Sequence, residues 1–365
     1  MLLRRVTNIE EEGCPLLSFV IVGSGYRSQY YARVARTYPD HFRAVYLCRS
    51  QEKASLMHAQ TGLEAFRHAD ALPFRPDFAV VAVDRANIAK VTEEWLDRGI
   101  PVVAETPVGD THEELIRLWN RHLQGDRIVC CEQYHRQPLL AAGLDIIRQG
   151  LIGAPTSMYI SLLHDYHAMS LIRRALLGGK SEPFVLHGTC FSSDYVDTDS
   201  RNGAFWDGRT NTGMRSTVHI AFRSGKQAIY DFCPVQYRSY IRSRHLCVRG
   251  TRGEWSDCQI LYLDEQNEPK RLSLAPILPE RYRCLDTQAL RDRRRTFTAE
   301  LAPDTIQDEF AIASILFDMK DYLAGGPSPY PLEEALEDAY FTLLSRQAQD
   351  NPFTAVSSER MTWHT

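Results

Sequence analysis

FVIVGSGYRSQYYARVA, Phe19 to Ala35, sets an apolar run against two closely spaced glycines and then a segment with apolar residues at helical spacing. A strand, a tight turn and a helix in that order form the first half of a βαβ unit. Gly23 permits the tight turn, and Gly25 lets backbone approach a ligand at the helix N-terminus. Ser28 stands at the third position of a G-x-G-x-x-G pattern, where a small residue still allows the helix to pack close to the strand. The spacing predicts a dinucleotide cradle, with Tyr26 and Arg27 as its intervening turn residues.

Working outward, the apolar runs LLSFVIVG, FRAVYLC, DFAVVAV, IPVVAE and RIVCCE alternate with the amphipathic segments SQYYARVART, QEKASLMHAQ, NIAKVTEEWLDR and THEELIRLWNRHL. Such alternation predicts a parallel sheet built from crossover helices. QPLLAAGLDIIRQGLIG reads as one more helix, stopped by Gly150 and Gly153. After Gly153 the texture changes. PTSMYISLLHD is strand-like, HAMSLIRRALLGG is helical, and four further strand-like runs carry turns such as RSGK and RGTRGE. That pattern predicts a mostly antiparallel sheet, followed by two helices in IQDEFAIASILFDMKDYLAGG and PLEEALEDAYFTLLSRQAQ. The expected fold is α/β: a doubly wound parallel domain over 17–150, then an α+β domain on a large open sheet over 151–350. An N-terminal extension covers 1–16 and a tail covers 351–365.

A chain of 365 residues suits two domains, and a net charge of −4 points away from nucleic acid. Arg291-Asp292-Arg293-Arg294-Arg295 reads as a solvated face, because no aromatic platform accompanies it. Nine cysteines without a CxxC pair fit reduced thiols, and Cys130 and Cys131 should point to opposite faces of a strand. No run is long enough to span a membrane, and the N-terminus lacks the apolar core of a secretory signal. A cytoplasmic protein is expected.

Four stretches carry candidate chemistry. At the end of the second strand, Cys48, Arg49 and Ser50 stand where an NAD site usually offers an acid to the ribose. An arginine beside a hydroxyl can accept a 2′-phosphate, which favours NADP over NAD. VVAETPVG places Glu105, Thr106 and Pro107 after an apolar run. LLHDYH gathers His164, Asp165, Tyr166 and His167 at a strand-to-helix junction. His167 is the best base there, since an unperturbed imidazole titrates near pH 6.5. The His164 and His167 spacing matches no helical ligand pair, so no metal is expected. CEQYHRQP lies at the end of the sixth strand, where open α/β sheets bind ligands. Tyr134, His135 and Arg136 could touch a ribose or a substrate; Glu132 reads better as a capping or interdomain residue.

With the glycine turn, the Glu-x-Pro and the switch to an antiparallel sheet, the sequence resembles the glucose–fructose oxidoreductase / inositol dehydrogenase family (Gfo/Idh/MocA) from about Ser18 to Gln349. The resemblance implies an NAD(P)-dependent oxidoreductase acting on a hydroxyl–ketone pair of a sugar, glycoside or polyol-like compound. It implies cofactor contacts at Glu105-Thr106-Pro107, the family's Glu-Lys-Pro, and at Val83-Asp84, where the family carries Thr-Pro. It aligns the family's histidine with His167. Besides Val83-Asp84, further positions depart: Thr106 replaces the lysine, and the family's acids fall on Leu163 and Ser170. A threonine cannot bring positive charge to a developing alkoxide, so the oxygen is expected to be handled by Tyr166, with His164 and Asp165 beside the substrate. The family also contains enzymes that cleave glycosides by transient oxidation and inactive sugar- or dinucleotide-binding regulators, and both stand as alternatives. A homodimer or homotetramer is implied, formed through the free face of the second sheet.

Overall fold

The computed structural model describes residues 16–200, 203–274 and 303–364, with the backbone alone at 303–306. The N-terminal extension before residue 16 and the Arg291–Arg295 cluster lie outside the described residues.

The first half follows β1 (Leu17–Val22), α1 (Ser28–Thr37), β2 (Phe42–Leu47), α2 (Gln51–Thr61), β3 (Ala65–Phe66), β4 (Phe78–Val81), α3 (Ile88–Leu96), β5 (Val102–Ala104), α4 (His112–Leu123), β6 (Ile128–Cys130) and α5 (Pro138–Arg148). Six parallel strands stand in the order β3-β2-β1-β4-β5-β6. Both faces are covered by helices, so the central strands are apolar at every position: Phe78 to Val81 and Val102 to Ala104 are fully buried. The order reverses between β1 and β4, and the crevice at that reversal is where such sheets bind ligands.

The second half follows β7 (Pro155–Ser161), α6 (Asp165–Leu177), β8 (Phe184–Val196), β9 (Asp199–Ser200), β10 (Gly203–Ala204), β11 (Thr210–Phe222), β12 (Gln227–Phe232), β13 (His245–Gly250), β14 (Gly253–Ser256), β15 (Gln259–Leu263), β16 (Pro269–Ser273), α7 (Pro303–Leu323), α8 (Leu332–Asp350) and β17 (Val356–Ser357). Nine strands form one sheet in the order β16-β15-β14-β13-β7-β12-β11-β8-β17. All neighbours are antiparallel except β7 and β12. Alternate residues such as Val218, Ile220, Ala228 and Tyr230 are buried, while Ile229 and Leu261 on the opposite face are exposed. The far ends of β8 and β11 pair as a ribbon whose residues are exposed on both faces.

Two placements matter for the site. Among the described residues, α7 packs chiefly on the nucleotide domain rather than on the second sheet. It lies against α1, with the Phe317 ring meeting Tyr38, His41 and Phe42 at 4.8–5.2 Å. The segment after α8 adds β17 to the sheet edge beside β8 and buries Trp363, whose indole donates to Glu337. Among the described residues no helix is long and apolar enough to cross a membrane.

Candidate active site

The glycine turn sits at the sheet's reversal point. Gly23 has φ +120°, and a Cβ there would come within 2.3 Å of the Ala82 carbonyl oxygen at the end of β4. Only glycine fits that approach. A Cβ on Gly25 would meet nothing within 4 Å, so open space lies above the start of α1. Ser28 is buried, and its hydroxyl donates to the Gly25 carbonyl at 2.6 Å, closing the turn. α1 has no side-chain cap and no acid in its first turn. Together these features suit the pyrophosphate of a dinucleotide.

The residues after β2 are the sequence candidates for the adenosine end of a dinucleotide. Cys48 is buried and burial pushes its thiol up, which suits packing rather than chemistry. Ser50 caps α2 by accepting from the Lys53 N–H at 3.2 Å. Arg49 is exposed. Past β4, Val83 is half-buried, and Asp84 accepts from the Asn87 amide at 2.7 Å.

Arg27 turns inward from the glycine turn. Its Nε lies 3.1 Å from Glu105 Oε1 and its Nη1 3.0 Å from Asp308 on α7. Tyr31 donates to the same Glu105 oxygen at 2.7 Å, and Glu105 Oε2 accepts the Thr106 N–H at 3.3 Å. Glu105 is thus held on three sides and orients the turn that follows it. The Thr106–Pro107 bond in that turn is cis. Tyr26 shares a 2.9 Å hydroxyl contact with Tyr30 beside it.

Opposite this turn stands His167, in the first turn of α6. It is 7% exposed. Its Nδ1 lies 2.6 Å from Glu132 Oε2, and its Nε2 lies 3.5 Å from Thr106 Oγ1. Glu132 is fully buried directly after β6, and its other oxygen accepts the Tyr134 N–H at 3.0 Å. The Tyr134 ring packs 4.5 Å from the imidazole. Burial pushes the Glu132 carboxyl up to about 8, against the pull of the Tyr134 N–H and Arg174. Burial pulls His167 down to about 4, with Arg27 adding to the effect. A carboxyl, an imidazole and a hydroxyl therefore form a line from the interior to the pocket, with both titratable groups pressed toward their neutral forms.

The remaining candidates divide. His164 is exposed at the rim, with Nδ1 2.6 Å from the Tyr237 hydroxyl. Tyr166 corrects the expectation placed on it. It is 1% exposed, and its hydroxyl faces Cys130 Sγ at 3.4 Å and the Ala335 carbonyl at 3.3 Å, inside the protein. It packs in the interior beneath His167, away from the surface. Arg136 is corrected likewise. Its guanidinium is tied to Ser314, Asp318 and the Pro329 carbonyl at 2.6–3.1 Å and clamps α7. Asp165 adopts φ +41° and gives its carboxylate to Arg346 at 2.9 Å and Arg85 at 3.6 Å. Those two arginines also meet Asp110, so four charges link the ends of β4 and β5 to α6 and α8. The acid is spent on that ring and is not free for a substrate. His135 packs against Tyr330 at 5.2 Å, away from the pocket line. Sequence reasoning set Glu132 aside as a capping or interdomain residue and missed Asp308. Glu132 carried one signal, an acid just past the carboxyl end of a parallel strand, β6; Asp308 carried none.

Residues 17–132 match the family GFO_IDH_MocA, described as "Oxidoreductase family, NAD-binding Rossmann fold". The match spans the six-stranded parallel sheet and ends at Glu132, just past β6. No curated protein matches the chain in sequence. Solved structures extend the likeness of fold to nearly the whole length. Levoglucosan dehydrogenase in complex with NADH aligns with a TM-score of 0.69 at 13% identity, over 95% of this chain and 100% of that one. An oxidoreductase from Agrobacterium radiobacter, in complex with NAD+, L-tartaric acid and magnesium, aligns with a TM-score of 0.68 at 12% identity, over 94% and 98%. The WlbA dehydrogenase from Bordetella pertussis, in complex with NADH and UDP-GlcNAcA, aligns with a TM-score of 0.65 at 15% identity, over 95% and 99%. Within the Glu105–Pro107 turn it is Thr106 that faces His167.

Proposed function

We propose that the protein is an NAD(P)-dependent oxidoreductase of a sugar, glycoside or polyol-like hydroxyl, with His167 as the group that exchanges the hydroxyl proton. The observation that carries this reading is the position of His167 Nε2. It stands across from the cis Thr106–Pro107 turn at the carboxyl end of β5, beside the reversal point where the glycine turn suits a pyrophosphate. When bound, the nicotinamide supplies or takes the hydride. The chain's own part is to hold the dinucleotide at Gly23, Gly25 and Val83, to fix the Thr106 turn through Glu105, and to accept a proton at Nε2. The rim residues His164, Tyr134 and Tyr237 would orient the sugar by hydrogen bonds and ring contact. The names of the structural neighbours, among them levoglucosan and UDP-sugar dehydrogenases, support a carbohydrate-like substrate.

Exposed Arg49 supports NADP as the preferred cofactor, because NADP alone carries a 2′-phosphate that a guanidinium can bind. The open face of the second sheet, with Ile229 and Leu261 exposed, suits pairing of subunits into a homodimer or homotetramer, and light scattering measures that mass. The seven described cysteines are all free thiols, which suits a reducing cytoplasm.

The test is nicotinamide absorbance on mixing the purified protein and cofactor with a panel of sugars, polyols and glycosides. A substrate that is turned over should lose about 10²–10⁴-fold in rate in His167→Ala, with cofactor affinity nearly intact. Full activity in that variant, or no turnover across the panel, overturns the reading.

A further inference from the structure

We propose that Glu132 and His167 act as one proton-holding unit, so that the proton leaving the substrate hydroxyl is finally stored on Glu132 and not on the imidazole. This rests on the reading of His167 as the acid–base group and assigns Glu132 as its positioning residue.

The geometry admits two arrangements of the pair. In the first, Glu132 is a carboxylate, Nδ1–H donates to its Oε2, and Nε2 presents a lone pair to the pocket. In the second, Glu132 carries the proton and donates it to Nδ1, and Nε2 carries a hydrogen. Oxidation of an alcohol moves the pair from the first to the second. The substrate O–H bond breaks and an Nε2–H bond forms, while Nδ1–H breaks and the Oε2–H bond forms. The substrate C–H electron pair departs as hydride to an oxidised nicotinamide dinucleotide. Atoms and charge balance, and no imidazolium is left inside the protein. Reduction of a ketone runs the same transfers backwards.

The surroundings favour this route over an imidazolium. His167 and Glu132 are 7% and 0% exposed, and burial disfavours the charged form of each. The charged groups near the pair are mixed. Arg27 from the glycine turn and Arg174 on α6 oppose a second positive charge. Glu105, Asp308 and Asp165 offset them from β5, α7 and α6. Neutral His164 and Tyr134 fill the remaining sides. A raised carboxyl next to a lowered imidazole places the exchangeable proton on the carboxyl.

Thr106 fits the same scheme. At 3.5 Å from Nε2 its hydroxyl can donate to the lone pair in the first arrangement and accept from Nε2–H in the second. An ammonium there only donates. It would meet the Nε2–H of the second arrangement donor to donor. A lysine in this position suits a histidine that stays in one form; a threonine suits one that alternates.

The experiment is ¹⁵N NMR of histidine-labelled protein with NAD(P)H bound, between about pH 6 and 9, beside single-turnover pH profiles of the wild type and Glu132→Gln. The wild-type His167 ring should stay neutral and change tautomer, from Nε2–H to Nδ1–H, as pH rises through about 8. Alcohol oxidation should rise through the same range, because the carboxylate form is the one that accepts a proton. Glu132→Gln should hold one tautomer throughout, lose the ionisation and drop about 10²–10³-fold in turnover number, with KM and cofactor affinity little changed. An imidazolium signal in this range, a tautomer that ignores pH, or a wild-type pH profile in Glu132→Gln overturns the inference. If His167→Ala is inactive while Glu132→Gln behaves as wild type, only the shared proton fails. If His167→Ala is active, the acid–base reading fails with it.

Discussion

Replacing Arg173 by methionine should show how tightly α6 is anchored. Arg173 lies about two turns beyond His167, and its side chain is 2% exposed. Nε lies 2.8 Å from Asp338 Oδ1 on α8, and Nη2 lies 3.2 Å from Glu334 Oε2. Nη1 donates to the Gly179 carbonyl, and Asp338 also accepts from the Tyr330 hydroxyl. Methionine keeps much of the stem's packing but leaves Asp338 fully buried with Tyr330 as its main partner. Breaking a buried pair by removing one member costs about 3–5 kcal/mol, because the remaining charge is uncompensated. At about 2 °C per kcal/mol for a long chain, the melting temperature should fall by roughly 6–10 °C. The loss should depend on pH in a fixed direction. Burial already holds the Asp338 carboxyl above its ordinary value, and Arg173 is the strongest influence pulling it down. Without Arg173 it rises further. An acid whose folded pKa lies above its unfolded one favours the fold below the unfolded value and loses that contribution as pH rises through the folded one. The deficit of Arg173→Met should therefore widen from acid toward neutral pH. Calorimetry at several pH values, with Arg173→Met/Asp338→Leu as the companion, measures it. The double variant should be the more stable of the two, since it buries no orphan carboxylate. A deficit below about 1 kcal/mol, or one that is flat in pH, refutes the argument.

Gly25→Val should fold as the wild type does, because a Cβ there meets open space, yet fail to bind a dinucleotide; unchanged cofactor affinity would remove the phosphate assignment. Arg49→Ala should weaken NADP more than NAD in calorimetric titrations, and equal losses would show that Arg49 does not reach the 2′-position. Tyr166→Phe should leave turnover within about twofold and lower stability by about 1 kcal/mol, since the hydroxyl bonds only to interior groups. A large fall in turnover would return Tyr166 to the site.

The Rossmann half is legible because its strands are buried on both faces and therefore apolar without interruption. β1 and β2 relax this rule at Ser18 and Arg43, and β3 escapes it, since Ala65–Phe66 is too short to carry any period. In the second half, alternation marks β12 and the inner parts of β8 and β11. It fails at their outer ends, where a ribbon wet on both sides has no reason to alternate. Within the site, His167 could be read from its residue type and its place at a strand-to-helix junction. Tyr166 could not be read with it, because neighbours on a helix point about 100° apart and both cannot face one pocket. Glu132 was legible as an acid and illegible as a partner. Its role depends on α6 arriving 35 residues later in the chain. Asp308 reaches Arg27 across 281 positions, a separation no local pattern records.

The return of α7 to the nucleotide domain also governs the order in which the protein can be assembled. The apolar seat formed by Tyr38 and Phe42, and the cation of Arg27, are made early in synthesis, while Phe317 and Asp308 emerge almost three hundred residues later. Until then a nascent Rossmann half presents an uncovered apolar seat and an incomplete charge network to its surroundings. A fragment cut near residue 150 would carry the glycine turn and keep that seat open for good. Cofactor binding and the completion of this chain are thus linked in time, with the second domain emerging between the cradle and the helix that closes its side.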